Sequence, residues 1–235
     1  MQSKTYTLLF ALVVTLICSV LLASAATLLK PLQDENIQID IKTNILSVLG
    51  LLPEDYVEPA ELLELYKKNV TSFVVDTDGN PVEGVSAYDL DPKSDPELLP
   101  VFTREENGEV VAYCIPIQGK GLWSTIKGYI SLEHDLNTVK DITFYSHGET
   151  PGLGGEIEQE WFTSNYQGKE ILDMDGDLVS VTIVKGKVRP DAKNPEHLVD
   201  GMSGATLTGN GINIFLKATL ERYEPYFKTV RGVES

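Results

Sequence analysis

The runs Leu99-Pro100-Val101-Phe102-Thr103 and Glu109-Val110-Val111-Ala112-Tyr113-Cys114-Ile115-Pro116-Ile117, joined through Glu106-Asn107-Gly108, decide the fold. Asn-Gly between two apolar runs is a short-hairpin signal, because both residues tolerate the positive φ of a tight turn. Trp123–Leu132 and Val139–Ser146 continue the pattern as two further strands, with Asp135-Leu136-Asn137 between them. Upstream, Phe73-Val74-Val75 begins a strand and Asp76-Thr77-Asp78-Gly79-Asn80 carries turn chemistry. Downstream, Leu178–Val184 reads as another strand.

Helices flank this block. Over residues 34–50, Ile37, Ile41, Ile45, Val48 and Leu49 share one face, and Gly50 can end the helix. Pro59 starts a second helix over Glu58–Asn69, with Leu62, Leu63, Leu65 and Tyr66 on its apolar side. A short helix is expected at 156–166, and a last one over Leu207–Tyr223, halted by Pro225. Strands in the middle and helices at the ends define an α+β class, an antiparallel sheet with flanking helices, rather than an alternating parallel one.

From Tyr6 to Leu29 the chain is apolar or small, without a formal charge, and is bracketed by Lys4 and Lys30. About 20 such residues span a bilayer core, so one N-terminal transmembrane helix precedes the domain. A cleaved signal peptide is the competing reading, since Ala23-Ser24-Ala25 resembles a cleavage site, but the apolar run continues through Leu28 and Leu29. Lys4 and Lys30 nearly cancel in the positive-inside rule. A short inner N-terminus with the acidic domain outside is the simpler orientation.

The soluble part narrows the function by exclusion. Of 235 residues, 42% are hydrophobic, which is ordinary for a globular domain. With 19 Lys plus Arg against 35 Asp plus Glu, the formal charge of −16 argues against nucleic acid. Cys18 lies in the apolar segment and Cys114 in a strand, so no disulfide is expected between them. His134, His147 and His197 are scattered without metal-ligand spacing. No serine or cysteine is tied to a histidine in a way that suggests hydrolytic catalysis.

Three glycine-bearing stretches remain. Asp200-Gly201-Met202-Ser203-Gly204-Ala205-Thr206-Leu207-Thr208 stands where the chain should enter its last helix. A helix start offers unpaired N–H groups and partial positive charge, which suit a phosphate. Ser203 is a candidate N-cap, with Thr206 and Thr208 in the first turn. One hydroxyl suffices for a cap, so three hydroxyls with two glycines suggest a phosphate cradle; no Walker lysine follows. His147-Gly148-Glu149-Thr150-Pro151-Gly152-Leu153-Gly154-Gly155 forms a tight loop that can approach a planar ligand. Glu149 and Thr150 offer polar contacts and Leu153 can lie against a ring. In Gly119-Lys120-Gly121-Leu122-Trp123-Ser124, Trp123 could stack on an aromatic group or simply pack at a strand start. Lys185 and Lys187 could pair with a phosphate or be solvated. Asp173, Asp175 and Asp177 read as a turn, because Leu178 stands where a calcium loop needs glycine.

Taken in order, Gly-Lys-Gly-Leu-Trp at 119–123, Gly-Glu-Thr-Pro-Gly-Leu-Gly-Gly at 148–155 and Asp-Gly-Met-Ser-Gly-Ala-Thr-Leu-Thr at 200–208 resemble the C subunits of sodium-translocating NADH:quinone reductases. The G subunits of the related Rnf complexes share the threonine motif and the anchor. The resemblance implies FMN held covalently by a phosphoester on Thr206, attached by a flavin transferase that reads Asp-x-x-Ser-Gly-Ala-Thr from Asp200 onward. It implies Glu149, Thr150 and Leu153 at the isoalloxazine; on the reading of the residues themselves, Ser203, Gly204, Ala205, Leu207, Thr208, Gly154, Trp123 and Lys185 are candidates to complete the site. It further implies an electron-relay subunit, not active alone, with other complex subunits, the transferase and membrane lipid as partners. The chain then divides into an anchor (1–30), a helical connector (31–70) and an extracytoplasmic FMN-binding domain (71–235). The alternatives are an Rnf-type G subunit, or an anchored extracytoplasmic binding module without a redox cofactor.

Overall fold

The computed structural model describes residues 4–53, 55, 57–88, 90 and 94–233. Helix α1 (Lys4–Val48) contains the apolar segment and runs on through Pro31 without a break, so the helix expected over 34–50 is its continuation. The chain forms two compact units, one ending at Lys42 and the other beginning at Thr43. The first is the greater part of α1. Its apolar side chains are exposed all round, Leu8 at 71% and Leu28 at 77%, and the helix is long and apolar enough to cross a membrane. Water would not favour such a surface, whereas a bilayer removes it from water.

In the second unit the last turn of α1 is buried: Ile45, Leu46, Val48 and Leu49 have no exposure. Gly50, at φ 67°, ends the helix as expected. The Gly50 amide donates to Ser47 O at 2.9 Å and the Leu51 amide to Leu46 O at 2.9 Å, the paired bonds of a Schellman cap. The remaining carbonyls are met from the sheet. Ser131 Oγ donates to Val48 O, and Arg104 Nη1 donates to Leu49 O at 2.9 Å.

Helix α2 (Pro59–Asn69) follows with proline in its first turn, buries Leu62 and Tyr66, and leads directly into β1 (Val70–Asp76). The Asp76 carboxylate accepts from the amides of Asp78 (3.0 Å) and Asn80 (2.8 Å). That closes the turn to the short β2 (Pro81–Val82). Strands β3 (Leu98–Glu106), β4 (Glu109–Lys120), β5 (Thr125–Glu133) and β6 (Val139–Ser146) complete a six-stranded antiparallel sheet in the order β2-β1-β3-β4-β5-β6. The β3–β4 turn has Asn107 at φ 54° and Gly108 at 85°, the two positive values that the Asn-Gly pair predicts.

Alternation sets the two faces of the sheet. Val101, Tyr113, Ile115, Ile117, Ile130 and Phe144 belong to the main core. Helix α4 (Thr206–Arg231) supplies Ile212, Phe215, Leu216, Leu220, Tyr223 and Phe227 to that core. Contact is close enough at Gly119 that a Cβ there would lie 2.1 Å from Phe215 Cβ. On the opposite face, Phe102, Cys114 and Ser131 are in register across β3–β5, and this is the face from which Ser131 reaches the end of α1.

Several expectations about the later chain need correction. The short helix at 156–166 is three pieces, with 3-10 turns at Gly154–Glu158 and Ser164–Tyr166 around α3 (Glu160–Thr163). Leu178–Val184 is not one strand. Leu178 bridges back to Leu172 across the aspartate turn, and Ser180, at φ 68°, breaks the extended path. Only β7 (Thr182–Ile183) remains, paired in parallel with β8 (Leu198–Val199). Pro225 does not halt the last helix, which continues to Arg231 and ends at Gly232 with φ 71°. The lost backbone bond at the proline is offset by packing beyond it, where Phe227 is fully buried and Tyr226 nearly so. The α+β class, an antiparallel sheet with flanking helices, is as expected.

Candidate functional site

The three glycine-bearing stretches converge at the N-terminus of α4. Thr206 is its first residue and is exposed. Ala205 occupies the N-cap position with no side-chain cap bond, so Ser203, which is exposed, is not the cap expected. The first-turn amides at 206–208 therefore have no capping side chain, and a helix start holds its N–H groups without intrahelical acceptors. Gly204, at φ 73°, makes the sharp entry; a Cβ there would stand 2.7 Å from Leu153 Cδ2. Leu153, 43% exposed, thus lies directly over the loop that precedes Thr206.

On another side of Thr206 is a small cleft lined by Ile183, Val184, Lys185, Gly201, Met202, Ala205, Gly209 and Asn210. Lys185 shares this cleft with Thr206 and is exposed, whereas Lys187 does not line it. Asp200 Oδ1 accepts from the Val188 amide at 2.8 Å, and the Gly201 amide donates to Gly186 O at 2.6 Å. These bonds fix the 185–188 turn beside the helix start. Gly201 is needed for close approach, because a Cβ would fall 2.0 Å from Val184 O.

Glu149 organises the site and is only 5% exposed. Its Oε1 accepts from the amides of Trp123 (2.9 Å) and Ser124 (3.2 Å), and its Oε2 from the Leu122 amide (3.3 Å) and Thr208 Oγ1 (2.7 Å). The acceptor capacity expected to face a ligand is thus committed to the protein. Burial pushes this carboxyl up, but the bonds from Thr208, Trp123, Ser124 and Leu122 outweigh it and hold the group below the ordinary carboxylate value. The loop after Glu149 is shaped by Thr150 O, which accepts from the amides of Leu153 (3.1 Å) and Gly155 (2.9 Å). Gly154 is buried against this knot; a Cβ would lie 2.5 Å from Thr208 Oγ1. Thr150 itself is exposed.

The outer surface of this assembly carries apolar side chains beside its polar ones. Trp123 is 67% exposed and Leu207 61%, so Trp123 is not core packing. Gly211 brings α4 against the 119–124 turn, since a Cβ there would lie 2.4 Å from Lys120 O. Two contributors were not singled out from sequence. Ser124 accepts from the Gly148 amide at 2.6 Å and so joins two loops. Asn213 docks β7 onto α4, accepting from the Ile183 amide (2.8 Å) and donating to Ile183 O (3.0 Å). An amide side chain one turn past Gly209 on a helix with a buried stripe was the available signal.

An exposed threonine on an uncapped helix start, a lysine in the adjoining cleft, and exposed Trp, Leu and Thr side chains around it fit a phosphate joined to a flat ring system. That is the class the fold and site define, and residues 121–221 match the family model described as FMN-binding domain. The chain is 39% identical to the C subunit of the Na(+)-translocating NADH-quinone reductase of Pseudomonas aeruginosa, covering 92% of this chain and 90% of that one. The crystal structure of the C subunit from Parabacteroides distasonis is 32% identical with a TM-score of 0.74, covering 85% of this chain and 96% of that one. For the Shewanella oneidensis NqrC structure the values are 25%, 0.72, 82% and 97%. The chain belongs to the family of Na(+)-translocating NADH-quinone reductase C subunits.

Proposed function

We propose that this protein is the electron-relay subunit of a membrane-bound, sodium-translocating NADH:quinone reductase, with FMN carried as a phosphoester on Thr206. The observation that carries this is the exposed Thr206 hydroxyl on the first residue of α4, a 26-residue helix without a side-chain cap. Bound FMN supplies one- and two-electron transfer; the chain supplies attachment, orientation and electrostatics. The amides at 206–208, which no side chain caps, would hold the phosphate, and the helix dipole would favour its charge. Lys185, in the same cleft, adds a counter-charge. Gly204 and Ala205 let the backbone come close, and exposed Ser203 offers a further hydroxyl. Trp123, Leu153 and Leu207 would offer apolar surface to the ring, with Thr150 as a polar contact and Gly154 keeping the loop tight. Glu149 and Thr208 act behind this surface.

A covalent tether suits so open a site, because it retains a cofactor that the protein does not enclose. Asp200, held by the Val188 amide, keeps the motif loop in the form that a flavin transferase reads. The domain faces the outer side of the membrane, where it meets the other subunits of the complex. Residues 1–30 anchor it in lipid, 31–70 connect, and 71–235 bind FMN. The relatives do not favour an Rnf-type G subunit or a cofactor-free binding module. The test is direct: the full chain, produced with the transferase and run on a denaturing gel, should give a flavin-fluorescent band after acid treatment. A dark band refutes the proposal.

A further inference from the structure

Among the described residues, Glu149 is the one buried carboxylate that touches all three site segments, and its bonds go beyond what stability of a single loop requires. Leu122, Trp123 and Ser124 present three successive amides to it, a concave nest for an anion built from main chain. Two hydroxyls add to these: Ser124 Oγ donates to Glu149 Oε1 at 3.5 Å, and Thr208 Oγ1, from α4, to Oε2 at 2.7 Å, Thr208 being 1% exposed. The Glu149 amide is itself held, donating to His147 Nδ1 at 3.2 Å. Ser124 closes the triangle by accepting from the Gly148 amide. Removing the carboxylate would release the Trp123 turn, the Leu153 loop and the third residue of α4 together.

We propose that Glu149 is a positioning residue whose ionised side chain holds Trp123, Leu153 and the helix start bearing Thr206 in one arrangement and biases the flavin potential through its fixed charge. The inference rests on the flavin reading above and deepens it. It also assigns different work to two neighbouring threonines. Thr206 is exposed and takes the cofactor, whereas Thr208 is buried and serves Glu149. An anion beside a group that gains electrons opposes its reduction, so neutralising Glu149 makes the flavin easier to reduce.

The experiment uses the full-length chain flavinylated in cells, with Glu149→Gln, Thr208→Val and Thr208→Ser. Attachment is read on denaturing gels, the midpoint potential by redox titration, and folding by thermal unfolding. Wild type must carry flavin; if it does not, the flavin reading fails rather than this inference. Glu149→Gln is expected to move the potential to more positive values and alter the visible flavin spectrum. Thr208→Val should keep its flavin yet change potential and spectrum, and Thr208→Ser should restore both. A merely structural role lowers the unfolding temperature without moving either readout. The inference is overturned if flavinylated Thr208→Val matches wild type in potential and spectrum. That variant also decides the matter if Glu149→Gln does not fold.

Discussion

Thr206 and Thr208 stand two residues apart in the same helical turn, yet their surroundings give opposite chemistry. Thr206 is exposed and Thr208 is 1% exposed. Replacing Thr206 by Ala removes an exposed hydroxyl, so stability should change by no more than about 0.5 kcal/mol, while the covalent flavin disappears from a denaturing gel. Thr208→Ala should show the reverse. It deletes a buried donor to a carboxylate, which costs about 1–3 kcal/mol in denaturant titration, and the flavin stays. Glu149 adds a pH signature. Its carboxyl lies below the ordinary value of 4.5 in the folded state, so the unfolded chain binds the proton more readily. Its contribution is therefore present above pH 4.5 and is lost as pH falls through the lowered folded value. Stability measured from neutral pH into acid should fall less steeply in Glu149→Gln than in wild type; an equal slope contradicts this.

At the scale of elements, the last helix is the instructive case. Pro225 looks like a stop because it removes a backbone donor, but α4 continues to Arg231 because Tyr226 and Phe227 are held in the core. Phe227→Ala should therefore destabilise the domain by about 3–5 kcal/mol, as for other fully buried aromatics. A loss under about 1 kcal/mol, read by chemical denaturation, would mean that the segment past the proline is dispensable. The same contrast explains what was legible in the sequence. The Asn107-Gly108 hairpin, the Gly50 cap and the Asp76 turn are local, and their residues carry the conformation by themselves. The short β7–β8 pairing joins positions 16 residues apart in register, and nothing near Thr182 announces Leu198. The site divides likewise. Its three glycine stretches were legible because close approach requires glycine. The Glu149–Thr208 bond, made across 59 residues, was not, because nothing near either residue announces the other. Ser203 as N-cap was a local inference defeated by the turn at Gly204, which sets Ala205 at the cap.

For the whole molecule, an apolar helix and an acidic domain meet the needs of a relay at a membrane. The helix keeps the chain at the bilayer, and the chain's formal charge of −16 favours solubility. Trp123 and Leu207 are both more than half exposed, so a flavin held beside them would lie on an open surface. A site this open needs a tether, and so the central claim concerns one bond. The most direct measurement is peptide mass mapping of the full chain purified from cells that contain the flavin transferase. The predicted result is a peptide containing Thr206 that is heavier by one FMN less one water, with the increment absent in Thr206→Ala. An unmodified wild-type peptide, or an increment that persists in Thr206→Ala, would contradict it.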